Sequence, residues 1–268
     1  MKYPIYQIDA FTDTQFKGNP AAVVPMPEFA PDHILQAIAM ENNLSETAFI
    51  VADGADYLLR WFTPENEIDL CGHATMGAAQ AIFTFLQPER DQIYFKTVQS
   101  GTLTVTRKAD GLLEMDFPIW SSRETQRPDA IVQAMGPQRP VSVRDAGRDL
   151  ILIYSSPDDI MELSPDMKKL ENAGYVCVIA TAPGKEADFV SRVFCPRCGV
   201  PEDPVTGSAH CSLVPYWAER LGKTELKARQ LSARGGLLYC SVQGDRLAIS
   251  GYATVYMKGE IFINTSSF

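Results

Sequence analysis

Leu70-Cys71-Gly72-His73-Ala74-Thr75-Met76-Gly77-Ala78 decides the fold when it is set beside Asp203-Pro204-Val205-Thr206-Gly207-Ser208-Ala209. In each stretch a short loop with glycine, threonine and a small residue opens onto an apolar run of helical length. The first run extends from about Ala74 to Leu86, the second from about Ala209 to Leu221. A helix that is nearly all apolar is one meant for burial. Two such helices, each among strand-like segments, predict two similar α+β halves, although no close sequence repeat links them. Two helix N-termini brought to one cleft would present unpaired backbone N–H groups and positive dipole ends, which suits a small carboxylate. The alternative is that both glycine loops only permit tight turns and close helix packing.

Outward from the first loop, Ile5 to Phe11 alternates apolar and polar residues, Gly18-Asn19-Pro20 forces a turn, and Ala21 to Val24 continues as a strand. Pro31-Asp32 starts a helix with Ile34, Leu35, Ile38 and Ala39 as its buried stripe, and Asn42-Asn43 stops it. Strands are predicted over Thr47 to Val51 and Tyr57 to Phe62. From Ile93 to Phe117 strands alternate with turns at Ser100-Gly101 and Ala109-Asp110-Gly111. The stretch Pro118 to Pro128 marks the boundary, so the halves are residues 1–118 and 119–268, with the final strands free to return to the first half. The second half is predicted as a helix over Asp129 to Met135, strand Leu150 to Tyr154, helix Met161 to Asn172, and strands Tyr175 to Ala180 and Phe189 to Phe194. After the second apolar helix, Leu231 to Phe262 reads as strands again.

The 268 residues hold 24 Lys+Arg against 33 Asp+Glu, a formal charge of −9, which argues against a basic nucleic-acid binder. Hydrophobic residues at 46% and charged ones at 21% exclude disorder as the main state. The start of the chain lacks the pattern of a signal peptide, and no apolar run approaches the roughly 20 residues that span a bilayer. A soluble cytoplasmic protein without membrane or nucleic-acid partners is the expectation. Six cysteines, at 71, 177, 195, 198, 211 and 240, are too sparse for a disulfide scaffold, so reduced thiols are expected. Cys195-Pro196-Arg197-Cys198 is a C-x-x-C pair, but neither His210 nor the other cysteines complete a zinc set, and Gly199-Val200-Pro201 follows where a redox helix would begin. No metal site is predicted.

Four side chains could carry chemistry. Glu46 stands at the mouth of an apolar strand. Partly withdrawn from water, its carboxyl would be a competent proton shuttle; fully solvated, it would be a loop acid. His73 lies at a helix start, where the dipole disfavours its protonation and a neutral imidazole can donate to a substrate; the alternative is a histidine that bonds a nearby carbonyl. Asp203 is either a loop acid before a helix or a partner for a substrate amine or hydroxyl. Ser208 can donate its hydroxyl to a carboxylate, or merely allow packing. Phosphate-loop, dinucleotide and zinc-protease motifs are missing from the sequence.

Five stretches in order resemble the PhzF family, which is named after a phenazine-biosynthesis enzyme. They are Phe16-Lys17-Gly18-Asn19-Pro20-Ala21-Ala22-Val23-Val24, Asn43-Leu44-Ser45-Glu46-Thr47-Ala48-Phe49, Leu70-Cys71-Gly72-His73-Ala74-Thr75, Glu202-Asp203-Pro204-Val205-Thr206-Gly207-Ser208-Ala209-His210 and Ser232-Ala233-Arg234-Gly235-Gly236. The resemblance implies a diaminopimelate-epimerase-like fold, with two halves each a curved sheet around a central helix, and a homodimer. It implies a cofactor-independent isomerase that moves a proton on a small anionic metabolite, as the phenazine enzyme does on trans-2,3-dihydro-3-hydroxyanthranilate. Glu46 matches the family's acid–base glutamate, and His73, Asp203 and Ser208 match its substrate-binding residues, with the backbone around Gly72 and Gly207 completing a carboxylate cradle.

Epimerases and racemases of this fold use one cysteine from each half. Here Cys71 stands at the first position, Asp203 occupies the second, and Cys211 on the following helix is no match. An epimerase of the same fold would depend on Cys71, and a non-catalytic protein would bind a small anion without exchanging protons.

Overall fold

The computed structural model describes residues 1–126 and 128–264, so Arg127, within the predicted linker, lies outside the described residues. The chain divides into two compact units. The first comprises Met1–Asp116 together with the segment from Ser250 onward, and the second is the continuous stretch Phe117–Ile249. The change of unit falls after residue 116, and the second unit stops at Ile249.

In the first unit, β1 (Lys2–Ala10) pairs antiparallel with β2 (Asn19–Met26), and α1 (Asp32–Asn42) leads to β3 (Glu46–Asp53), which lies parallel to β2. β4 (Asp56–Phe62) pairs with β3 and with the two-residue β5 (Glu67–Ile68). After α2 (Gly72–Ala81), β6 (Gln92–Lys96), β7 (Thr102–Arg107) and β8 (Leu113–Pro118) form a meander, with β6 parallel to β4. The other side of β1 is taken by β18 (Ala253–Phe262), with Lys2 opposite Phe262 and Ala10 opposite Ala253.

β2 is apolar without alternation because both of its faces are covered. Ala22 and Val24 pack toward α1 with Ile34, Leu35 and Ile38, whereas on the other face a Cβ added at Gly77 of α2 would lie 3.6 Å from the Ala21 Cβ and 3.5 Å from that of Ile8. α2 touches β18, β1, β2, β3 and also β7. Strands so far apart in the sheet reach one helix only because the sheet curls around it. Every residue of α2 except Gln80 is buried, as its uniformly apolar sequence requires. Its axis continues as a π-helical turn, Ile82–Leu86, which accounts for the longer helix predicted there.

The second unit repeats the scheme. β9 (Arg123–Glu124), β10 (Ser142–Asp145) and β11 (Leu150–Ile153) are antiparallel neighbours, β11 is parallel to β12 (Val178–Pro183), and β12 pairs antiparallel with β13 (Phe189–Cys195). β13 pairs with β14 (Val200–Asp203) and with β15 (Glu225–Gln230), which joins β16 (Gly236–Gln243); β17 (Arg246–Gly251) follows. α3 (Asp129–Ala134), α4 (Pro157–Met161) and α5 (Met167–Glu171) share a core with β11, β12 and β13. α6 (Gly207–Leu221) is the central helix: it contacts β15 and β16, and its Trp217 stacks on Phe189 at 5.8 Å and donates to the Thr181 hydroxyl at 3.0 Å. The fold is therefore α+β with a curved sheet and a central helix in each unit.

Three differences from the sequence reading have local causes. The helix predicted over Met161 to Asn172 is two short helices, because Pro165 excludes its predecessor from helical backbone and Asp166 caps a new start by accepting from the Lys169 N–H. β15 was not predicted, since its inward positions are Leu226, Ala228 and the polar Gln230. Reduced thiols are corrected at one place: Cys177 and Cys195 form a disulfide, with Cα atoms 4.4 Å apart. The pairing of Val178 with Phe194 sets the two cysteines opposite each other on neighbouring strands. The partner of Cys195 is thus chosen by sheet register, not by the nearby Cys198. Among the described residues, no helix is long and apolar enough to cross a membrane.

Candidate active site

The first unit brings three elements to the start of α2. Asn19 opens β2 and Glu46 opens β3, and the parallel register that places Ala21 beside Glu46 holds these two strand ends together. Cys71 is the residue before α2 and His73 is in its first turn. The His73 ring is buried. Its Nδ1 lies 3.1 Å from Asn19 Nδ2 and 3.5 Å from Cys71 Sγ, while its Nε2 lies 2.9 Å from Glu46 Oε2. An amide nitrogen can only donate. Nδ1 is therefore the acceptor, and the proton of the neutral imidazole sits on Nε2, toward Glu46.

Glu46 Oε2 and His73 Nε2 are close without being aligned, and neither makes a hydrogen bond of good geometry. Both remain able to align on a third group. Burial opposes charge on His73 and the Glu46 carboxylate beside it favours charge; the Asn19 N–H on Nδ1 can be accepted only by the neutral ring, so this geometry keeps the imidazole neutral. Burial, with the charge of Glu46 adding, pushes the Cys71 thiol up to about 11, so at neutral pH the sulfur is protonated and a poor base. The backbone carbonyl of Cys71 takes the Thr75 hydroxyl at 2.5 Å. No side chain caps α2, so the first N–H groups, at Gly72 and His73, keep their donor capacity.

The ligand atoms of Glu46, Cys71 and His73 lie within 4.8 Å of one another. The thiol faces one ring nitrogen and the carboxylate the other. The imidazole therefore separates them instead of meeting both at one point, which does not make a coordination shell of about 2 Å bonds.

In the second unit, Asp203 ends β14, Thr206 precedes α6, and Gly207 and Ser208 open it. The loop between is clamped. Buried Gln230 donates to the Asp203 carbonyl at 2.7 Å and to the Thr206 hydroxyl at 3.1 Å, and accepts from the Thr206 N–H at 2.9 Å. Thr206 donates to the Asp203 carboxylate at 2.5 Å, which leaves α6 without a side-chain cap. Ser232 closes the loop from the other side by donating to the Pro204 carbonyl at 2.7 Å. His210 donates from Nδ1 to the Thr206 carbonyl at 2.8 Å, and burial pulls its pKa down to about 4, so it is a neutral structural histidine. Ser208 accepts from Arg148 Nη2 at 3.3 Å.

The structure thus gathers Glu46, Gly72 and His73 in the first unit and Asp203, Gly207 and Ser208 in the second. Sequence reading treated Asn19 as a turn residue and passed over Gln230 and Arg148, whose roles depend on partners remote in sequence. Ser232 was legible only as part of a quoted motif.

The family model for phenazine biosynthesis-like proteins, PhzC-PhzF, matches residues 8–259. A Pseudomonas aeruginosa protein named as an uncharacterized isomerase is 46% identical over 263 residues, covering 98% of this chain and 100% of its own. The crystal structure of an Enterococcus faecalis PhzF family protein superposes with a TM-score of 0.93 at 43% identity, covering 98% of this chain and 100% of the other. A hydroxyproline epimerase from Agrobacterium vitis, at 11% identity and a TM-score of 0.63 over 97% of this chain and 92% of its own, shares the fold alone. With a model match over nearly its whole length and relatives above 40% identity, the chain belongs to the PhzF family of phenazine biosynthesis-like proteins.

Proposed function

We propose that this protein is a cofactor-independent isomerase that moves a proton between positions of a small carboxylate or amino-acid-like metabolite, with Glu46 as acid and base. The observation that carries the reading is the Glu46–His73 pair, 2.9 Å apart at the uncapped start of α2, with the Glu46 side chain 12% exposed. Glu46 takes a proton from a carbon of the substrate, and the C–H electron pair enters the adjoining unsaturated or carboxylated system. The protonated Glu46 then returns the proton to another carbon of that system. His73, through Nε2–H, and the Gly72 N–H stabilise the charge that develops, each donor contributing about 3 kcal/mol to lowering the barrier. In the second unit, Asp203, Gly207 and Ser208 are the residues that the family resemblance assigns to substrate binding. A base so little exposed keeps the abstracted proton from bulk water, which a transfer within one molecule requires. Relatives named as isomerases support the reaction class.

The test is mass spectrometry of a metabolite extract incubated in heavy water with wild type, Glu46→Gln and Cys71→Ser. Conversion of one metabolite to its isomer, or deuterium entering it, with wild type and Cys71→Ser but not with Glu46→Gln, is the expected result. Equal activity in Glu46→Gln, with loss in Cys71→Ser, would instead make the protein an epimerase working through the thiol. Absence of both label and conversion in all three would leave a small-anion binder. The homodimer is part of the same proposal, and sedimentation equilibrium measures it directly.

A further inference from the structure

Arg148 sits in the turn between β10 and β11, where a guanidinium is ordinarily free to swing. This one is held on three sides. Its Nε donates to Asp149 Oδ1 at 3.1 Å, its Cζ lies 5.2 Å from the centre of the Trp120 ring, and its Nη2 donates to the Ser208 hydroxyl at 3.3 Å. Asp149 is 1% exposed, and burial raises its pKa even against the lowering effect of Arg148. Its Oδ1 also accepts the Cys177 N–H at 3.2 Å, while Oδ2 has no hydrogen-bond partner among the described residues. A buried carboxylate with so few donors is costly. What it achieves is a fixed position for Arg148.

Trp120 is held just as deliberately. Its backbone N–H donates to the Cys211 carbonyl at 3.0 Å. That carbonyl is available because residue 215, four positions on in α6, is a proline and has no N–H to offer. Pro215, Cys211, Trp120, Arg148 and Ser208 therefore form one assembly that ends at the first turn of α6. Ser208, accepting on its oxygen, has its own hydrogen to give, and the bond from a cation polarises it for donation. The Arg148 side chain is 40% exposed, so a solute can reach it.

We infer that Arg148 is the receptor for the substrate carboxylate, acting with the Ser208 hydroxyl and the N–H groups at the start of α6. The inference rests on the isomerase reading for the word substrate, but the binding itself does not need that reading. A planar two-oxygen anion matches the guanidinium fork. Arg148 already shares its charge with buried Asp149, so little net positive charge is left at the fork, which suits a monoanion held by hydrogen bonds better than a phosphate dianion. Arg148 is thus a specificity residue, and Trp120 and Asp149 are positioning residues.

The experiment is a 15N NMR titration of the full chain, following the Gly207 and Ser208 amides with benzoate, with its neutral isostere benzamide, and with inorganic phosphate. Benzoate is expected to shift both amides in wild type and in Glu46→Gln, and benzamide is not. Arg148→Ala is expected to weaken benzoate binding about ten- to a hundredfold. Arg148→Lys, which keeps the charge and loses the fork, is expected to fall well short of wild type. The spectra themselves report whether each variant is folded. Unchanged benzoate affinity in Arg148→Ala, equal binding of benzamide, tighter binding of phosphate, or no response of wild type to benzoate would each overturn the inference. A protein that binds benzoate through Arg148 and yet neither converts nor labels any metabolite in heavy water would refute the isomerase reading and leave the receptor standing.

Discussion

At the scale of single residues, the chemistry proposed for the first unit depends on which nitrogen of His73 carries the proton. Asn19 decides this, because its amide nitrogen faces Nδ1 at 3.1 Å and directs the ring hydrogen to Nε2 and Glu46. Asn19→Asp replaces the donor with an anionic acceptor of the same shape. That change is expected to pull a proton to Nδ1, raise the His73 pKa and slow solvent exchange by about a hundredfold, while Asn19→Gln restores part of the rate. Long-range 15N–1H correlation of the His73 ring distinguishes the tautomers directly, and an unchanged Nε2–H tautomer in Asn19→Asp would show that Asn19 does not set it. Glu46 and His73 were legible in the sequence because each stands where chemistry is easily imagined, at a strand mouth and a helix start. Asn19 was hidden by a second, equally good reason for its presence, the turn before Pro20. Arg148 was hidden more completely, since its role comes from a ring, a carboxylate and a hydroxyl supplied by residues 120, 149 and 208.

At the scale of elements, α2 and α6 were readable from their uninterrupted apolar character, though each starts two residues earlier than predicted, at Gly72 and Gly207. The two glycines belong to the helices rather than to the turns before them. α6 also carries a pH-dependent contribution to stability. The folded-state pKa of His210 is about 4, below the ordinary value of 6.5, because burial opposes the charged form. Between those values the unfolded chain binds a proton that the folded chain refuses. The contribution is therefore complete above pH 6.5 and is lost as pH falls toward about 4, to an extent of about 3 kcal/mol. His210→Gln is expected to remove this component, so that urea unfolding at neutral and at mildly acid pH differs less in the variant than in wild type. An equal difference in both would show that His210 is not the group responsible.

At the scale of the whole molecule, the two units differ in how the chain builds them. The second is one continuous stretch, Phe117–Ile249, whereas the first is completed by the segment from Ser250 onward. The resemblance to a known family implied the architecture in each half, but sequence patterns alone do not say which strand lies beside β1. That pairing joins residues 2 and 262 and is a property of the folded sheet. A fragment covering Phe117–Ile249 is expected to give the dispersed NMR spectrum of a folded protein. Residues 1–116 alone are expected to aggregate, because β1 would become an apolar edge with unpaired backbone groups, and adding a peptide of residues 250–264 is expected to restore solubility. A soluble, folded fragment 1–116 would show that β18 is dispensable to the first unit.

The pairing of β1 with β18 also has a consequence for synthesis. At the usual rates of translation, about 5–20 residues per second, roughly 12–50 seconds separate the emergence of β1 from that of its outer neighbour. During that interval the second unit can fold on the ribosome, while the N-terminal strand waits with one side open. A nascent chain of this kind leaves β1 unpaired on one side until β18 emerges, so molecular chaperones that engage emerging polypeptides should be found on β1, and released only as β18 leaves the ribosomal tunnel.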